Sequence, residues 1–147
     1  MCTSPSAGTA GEPWREVRVT AGDTIEIRME APPSGPEPAP FALYVWLGRP
    51  DPASDSPQPF GLGTTCFPTY LVSGLPKPFR VWNNLGHPGW LGEPNYPSQP
   101  APSTIVSRAT GWPQPVTITI QGFIADNGSA AEGPGSVTNG VVLRVTP

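Results

Sequence analysis

Apolar and polar residues alternate along two segments near the start of the chain, EVRVT (residues 16–20) and TIEIRME (residues 24–30). A period of two is typical of β-strands that bury one face and expose the other. Residues 21–23 separate the two segments, so we expect two amphipathic strands joined by a tight turn or a corner. The face expected to be buried consists of Val17, Val19, Ile25, Ile27 and Met29.

Two other segments are more apolar. FALYVWLG (residues 41–48) is apolar almost throughout and lies between chain breakers, which predicts a central strand covered on both faces. VTITIQGFIA (residues 116–125) alternates until Gly122, which shifts the phase so that Phe123 joins the apolar run; this predicts a bulge. Shorter strands are expected at FRVWNN (79–84), STIVS (103–107) and TNGVVLRVT (138–146).

Proline and glycine dominate the connections, as in APPSGPEPAP (residues 31–40) and RPDPASDSPQP (residues 49–59). Proline cannot donate a hydrogen bond to a β-ladder, so such tracts are expected to be extended connectors. No helical periodicity is visible in any long window free of these residues. We therefore predict a single all-β domain over residues 1–147, an antiparallel β-sandwich, jelly-roll or Ig-like, of seven or eight strands with long Pro/Gly-rich loops. Residues 1–14 are expected to form an extended N-terminal segment, and a barrel is the second choice of fold.

The composition favours a folded chain and argues against two kinds of partner. The 23 prolines and 17 glycines are 40 of the 147 residues, yet five Trp, five Phe and three Tyr are unusual in a disordered chain. Lys and Arg total only eight and form no cluster, and the net charge is −3, so no nucleic acid partner is expected. No apolar run approaches the roughly 20 residues of a membrane span, so none is predicted.

Low charge with abundant Ser, Thr, Pro and Gly is typical of secreted bacterial surface proteins, so we expect a secreted or cell-surface location. Cys2 and Cys66 could form a disulfide in an oxidising compartment. A Met directly before Cys2 resembles an initiator placed on a processed chain, in which case Cys2 could instead have carried a lipid; a free thiol is the third interpretation. Two Cys and one His are too few for a four-ligand zinc site, and no metal or cofactor is expected.

Several of these segments, taken in order, resemble the C-terminal β-sandwich modules of secreted proteins from planctomycetes and related environmental bacteria. The residues that carry the resemblance are PFGLGTTC (59–66), IQGFIAD (120–126) and TNGVVLRV (138–145). The resemblance covers roughly the last two thirds of the chain and implies a secreted β-sandwich, with no catalytic residues to carry over. The chain departs from those modules in the long loop over residues 83–102, which is where a function of its own is expected.

Aromatic side chains are the main candidates for a site. Trp82, Trp90, Tyr96 and Trp112 lie near one another in the sequence. Exposed aromatic rings bind sugars by stacking, and Trp and Tyr also anchor contacts between subunits. The third interpretation is structural, because these rings could cover the end of the sandwich and hold a proline-rich loop in place.

Residues for catalysis are few. His87 is the only imidazole, and it lies in the turn-like sequence GHPG, where a structural or exposed histidine is expected. The carboxylates lie in loops or on polar strand faces, so we predict no catalytic residues and no enzyme activity. The first functional hypothesis is a secreted noncatalytic structural module, a cell-surface or extracellular filament subunit that associates with itself or with other surface proteins through strand edges and its N-terminal segment. The alternative is a carbohydrate-binding module that binds polysaccharide with its loop aromatics.

Overall fold

The computed structural model describes residues 14–31, 37–49, 56–57, 64–65, 80–84, 95–125, 135–138 and 140–147. These residues are β-strands, turns and extended segments, and they contain no helix, which confirms the all-β prediction. Among the described residues there is no helix that could span a membrane. The strands are β1 (Trp14–Thr20), β2 (Thr24–Met29), β3 (Phe41–Leu47), β4 (Ser56–Pro57), β5 (Thr64–Thr65), β6 (Arg80–Asn83), β7 (Asn95–Pro97), β8 (Ser103–Arg108), β9 (Val116–Ala125), β10 (Gly135–Val137) and β11 (Gly140–Thr146).

A seven-stranded sheet forms the larger part of the fold. Its order is β1-β11-β9-β3-β6-β7, and β10 lies beside β9. The inner pairs are antiparallel, but β1 runs parallel to β11 and β6 runs parallel to β7. The prediction of a purely antiparallel structure is therefore wrong at both edges of the sheet. Alternation along a strand determines which side chains are buried, but it does not determine the direction of the neighbouring strand.

A second sheet pairs β2 with β8, and β4 pairs with β5 in a third. The chain passes from the first sheet to the second at residues 21–23, so the predicted turn or corner is a corner. Gly22 has a φ of 93°, which glycine adopts without strain. The backbone N–H of Gly22 donates to the Ala109 carbonyl at 2.9 Å, and the Ala109 N–H donates to the Asp23 carbonyl at 2.8 Å. These two bonds attach the corner to the segment that follows β8.

One hydrophobic cluster joins the two larger sheets. Its fully or nearly buried members include Phe41 and Leu43 from β3 and Leu143 from β11, together with Met29 from β2 and Ile105 from β8. The prediction of which side chains of the first two strands face the core is confirmed. Met29 belongs to the cluster, and four partly buried side chains pack against it: Val17, Val19, Ile25 and Ile27. Burial of apolar area in this shared cluster is the main force that holds the sheets together.

The second face of β3 is also buried. Ala42 and Tyr44 form a cluster with Trp46 and Phe123 on the side of the sheet opposite the main core. The rings of Tyr44 and Phe123 meet edge to face, with centroids 5.8 Å apart. The prediction that FALYVWLG is a central strand covered on both faces is therefore confirmed.

The predicted bulge lies opposite β9 rather than within it. The register of β9 with β3 is continuous through Gly122. On the other side of β9, Val137 pairs with Phe123 and Val141 pairs with Ile120. The β10–β11 segment therefore uses four residue steps where β9 uses three. The extra residue therefore belongs to the β10–β11 side. Gly122 itself is required by close approach, because a Cβ atom there would overlap the carbonyl oxygen of Ala42.

Candidate binding groove and sheet edge

Trp82 and Tyr96 are brought together by the parallel pairing of β6 and β7, in which they are register partners. Their ring centroids are 5.9 Å apart, and the ring planes are tilted by 39°. Trp82 is also the register partner of Leu43 and packs against the main core, whereas Tyr96 is 39% exposed. The pair thus has one ring fixed by the core and one ring at the surface of the sheet edge.

A groove runs from Trp82 toward β8, with a volume of about 600 Å³. We call it the β7 groove; its described lining is Trp82, Pro97, Ser98, Gln99, Pro102, Ser103, Thr104, Ile105 and Val106. These residues offer an indole, two proline rings and aliphatic surface together with hydroxyl and amide groups. None of the described lining residues is charged, so the groove suits a neutral ligand with polar groups and an apolar face.

The wall of the groove after β7 is fixed by hydrogen bonds from a neighbouring strand end. The side-chain oxygen of Asn84 accepts from the Phe41 N–H at 2.7 Å, and its amide nitrogen donates to the Ser98 hydroxyl at 3.4 Å. Ala101 exchanges two backbone bonds of 2.8 Å with Ala39. These hydrogen bonds attach the segment after β7 to the large sheet.

Trp112 lies elsewhere. It follows the end of β8 that is remote from the groove, next to Gly111, where a Cβ would lie 3.8 Å from that of Ala21 at the corner. The indole packs against the main core, and its Nε1 is buried with no hydrogen-bond partner among the described residues. Of the four aromatic candidates, the structure thus unites Trp82 and Tyr96 and separates Trp112. Trp90, His87 and the pair Cys2 and Cys66 lie outside the described residues.

Trp82 and the loop 83–102, both singled out in the sequence, supply five of the nine described lining residues, whereas residues 103–106 were not expected there. Ser98, Gln99, Ser103 and Thr104 are ordinary loop and strand residues in the sequence, and no motif marks them. The high proline content of residues 97–102 predicts irregular backbone there, but it does not predict that this segment lies opposite β8 across a groove.

The edge strand β1 is the second feature with functional meaning. The Ala21 N–H donates to the Thr146 carbonyl at 2.8 Å, so odd-numbered positions direct their backbone groups toward β11. Because successive residues alternate, the backbone N–H and C=O groups of Trp14, Glu16, Arg18 and Thr20 point away from β11. We call this outward-facing row the β1 edge. Among the described strands, none pairs with it.

Among the described residues, the chain itself closes one end of the β1 edge. The Thr20 N–H donates to Asp23 Oδ2 at 2.8 Å, and the Thr20 carbonyl accepts from the Asp23 N–H at 3.0 Å. Farther along the strand, the carboxylate of Glu16 forms an ion pair with Nε of Arg144 on β11. Within the described part of the chain, no other strand pairs with the outward backbone groups of Glu16 and Arg18.

Comparison with known proteins gives no relative from which a role could be transferred. No protein-family model, no curated protein and no solved structure matches the chain. The β7 groove and the β1 edge are the features of the molecule that bear on its function.

Proposed function

We propose that the chain is a secreted, noncatalytic structural module, a cell-surface or extracellular filament subunit that associates through its strand edges. The observation that carries this proposal is the β1 edge, a regular strand of seven residues without proline. Unpaired strand edges are templates for pairing with another chain, and soluble proteins usually block them with proline, bulges or covering segments. The low charge of the chain and its resemblance to secreted bacterial modules support the proposed location.

The proposed architecture is a β-sandwich, jelly-roll or Ig-like. The shared cluster supports it, because Ile105 of β8 and Leu143 of β11 belong to one core although their strands belong to different sheets. Two sheets that bury their inner faces against each other are the defining feature of a sandwich.

The two edges of the large sheet differ. β7 has only three residues and ends at Pro97, with Pro100 and Pro102 close behind. Proline cannot donate to an added strand, so this edge is poorly suited to extension. We therefore propose that association uses the β1 edge, and that residues 1–13 add contacts to a neighbouring molecule by strand addition.

Electron microscopy of the purified protein over a range of concentrations tests this function. Ordered filaments, sheets or discrete oligomers are expected. A chain lacking residues 1–13 should keep the β-sheet circular dichroism spectrum of the full chain and lose the higher-order assemblies, because β1 itself is retained. Dispersed single particles at every concentration would contradict the structural role. Unchanged assembly by the shortened chain would contradict only the proposed contacts of residues 1–13.

A second candidate, a carbohydrate-binding module, is supported by the β7 groove. Sugar rings have apolar faces that stack on aromatic rings and hydroxyl rims that hydrogen bond to groups like those of Ser98 and Gln99. The uncharged lining favours neutral polysaccharide over acidic polysaccharide.

The test is retention on a panel of insoluble and soluble polysaccharides. Gln99→Ala should weaken binding about two- to tenfold, because the groove lining then loses one hydrogen-bonding side chain. Leu47→Ala is the matched control, since Leu47 is 49% exposed on β3 and outside the described groove lining. If the parent protein binds no glycan on the panel, this second candidate is wrong.

A further inference from the structure

We infer that β1 pairs antiparallel with β1 of a second copy, around a two-fold axis that passes beside Val17. This inference rests on the proposed association through the β1 edge and specifies its partner, register and symmetry. The pairing would extend the large sheet across two molecules. Because each copy uses the same strand, the contact is self-complementary and closes as a dimer, so any growth beyond the dimer would use the contacts proposed for residues 1–13.

The direction of the backbone groups selects this geometry. Glu16 and Arg18 direct their N–H and C=O groups away from β11, whereas Val17 directs its groups toward β11. With the axis beside Val17, Glu16 of one copy lies opposite Arg18 of the other. These two positions then form hydrogen-bonded pairs on both sides of the axis. The intervening Val17 residues face each other in a pair without hydrogen bonds, so the contact does not compete with the β11 ladder.

The charges select the register. Side chains opposite each other across two strands lie on the same face, so the Glu16 carboxylate approaches the guanidinium of Arg18 of the second copy, twice in the dimer. A shift of the axis to Glu16 would put two carboxylates opposite each other. A shift to Arg18 would do the same with two guanidinium groups. The register centred on Val17 is the one of these three that pairs opposite charges.

Neighbours within the chain make Arg18 a suitable probe. Its register partner on β11 is Arg144, which already pairs with Glu16. Arg18→Glu would therefore place a carboxylate beside Arg144, which the folded chain should tolerate. In the dimer the same change puts the new carboxylate opposite that of Glu16 in the second copy. Arg18→Glu should therefore leave the monomer folded and weaken the dimer.

The test is sedimentation of the full chain from low micromolar to millimolar concentration. The parent protein should dimerise, and Arg18→Glu should raise the dimer dissociation constant about tenfold or more, since two attractive pairs become repulsive. Arg18→Pro should also weaken the dimer, because it removes an outward N–H, whereas Arg18→Lys should dimerise like the parent. Circular dichroism and thermal unfolding in the monomeric range show whether each variant is folded.

The possible outcomes distinguish a wrong register from a wrong proposed function. If the parent dimerises and Arg18→Pro weakens the dimer while Arg18→Glu does not, the register centred on Val17 is wrong but association at the β1 edge stands. If all three variants dimerise like the parent, the β1 edge is not the contact. A parent protein that stays monomeric throughout the range overturns the proposed function together with this inference.

Discussion

Gly122 lies where the backbones of β9 and β3 approach each other closely. A Cβ built at this position would overlap the Ala42 carbonyl oxygen and lie 2.9 Å from the Leu43 Cα, both of them backbone atoms that cannot rotate away. We predict that Gly122→Ala lowers the free energy of unfolding by about 1–3 kcal/mol, the range for overpacking a core. Urea denaturation measures the change. Gly111→Ala is the control, since its Cβ would meet only Ala21 Cβ at 3.8 Å, and an equal loss in both variants would contradict this explanation.

Thr119 is fully buried, and its hydroxyl donates to the Gly48 carbonyl at 2.7 Å. Valine has the same shape without the hydroxyl, so Thr119→Val removes this part-buried hydrogen bond. We expect a loss of about 1–3 kcal/mol in unfolding free energy. Thr119→Ser keeps the donor and loses only a methyl group, and it should cost less. If the valine variant is as stable as the parent, the hydrogen bond contributes nothing.

At the scale of single residues, the sequence predicts burial better than it predicts proximity. The alternation in TIEIRME identified Ile25, Ile27 and Met29 as core-facing because the period of a strand determines which side chains share a face. The same pattern could not show that Trp82 meets Tyr96 while Trp112 does not. Those distances depend on strand pairing between remote segments, and proximity in the sequence carries no information about it.

One acidic side chain contributes to the corner between β1 and β2. Asp23 accepts from the Thr20 N–H through its carboxylate and donates its own N–H to the Thr20 carbonyl. Asp23→Ala removes the first bond and should lower the unfolding free energy by about 1 kcal/mol, the usual net contribution of one hydrogen bond. Asp23→Asn keeps an oxygen acceptor, so a smaller loss is expected. Chemical denaturation of both variants checks the order, and equal losses would show that the side-chain bond is not the cause.

At the scale of elements, the sequence predicted the positions of the long strands and missed how they pair. Segments 16–20, 24–30, 41–48, 103–107 and 116–125 all contain strands, because alternation and apolar runs are local signals. The parallel pairs β1 to β11 and β6 to β7 join segments that local patterns cannot connect. The sequence predicts the bulge in β9 because Gly122 breaks its pattern, whereas the extra residue belongs to the β10–β11 side, where Asn139 and Gly140 interrupt the apolar residues.

At the scale of the whole molecule, the proposed sandwich requires that the two larger sheets unfold together. Ile105→Ala on β8 and Leu143→Ala on β11 should each lower the unfolding free energy by about 2–5 kcal/mol, because both side chains are buried in one cluster. Val106→Ala is the control on the same strand, 64% exposed, with an expected change within about 0.5 kcal/mol. Fluorescence and circular dichroism should report one coincident transition. Two separate transitions, each sensitive to one of the substitutions, would show two independent units.

The most direct test of association through the β1 edge is residue-resolved hydrogen exchange of the β1 amides as a function of protein concentration. Val17 and Val19 direct their N–H groups to β11 and should be protected at every concentration. The outward N–H groups of Glu16 and Arg18 should exchange rapidly in dilute solution and become protected as dimers form. Rapid exchange of Glu16 and Arg18 at concentrations where the protein is oligomeric would contradict association through the β1 edge.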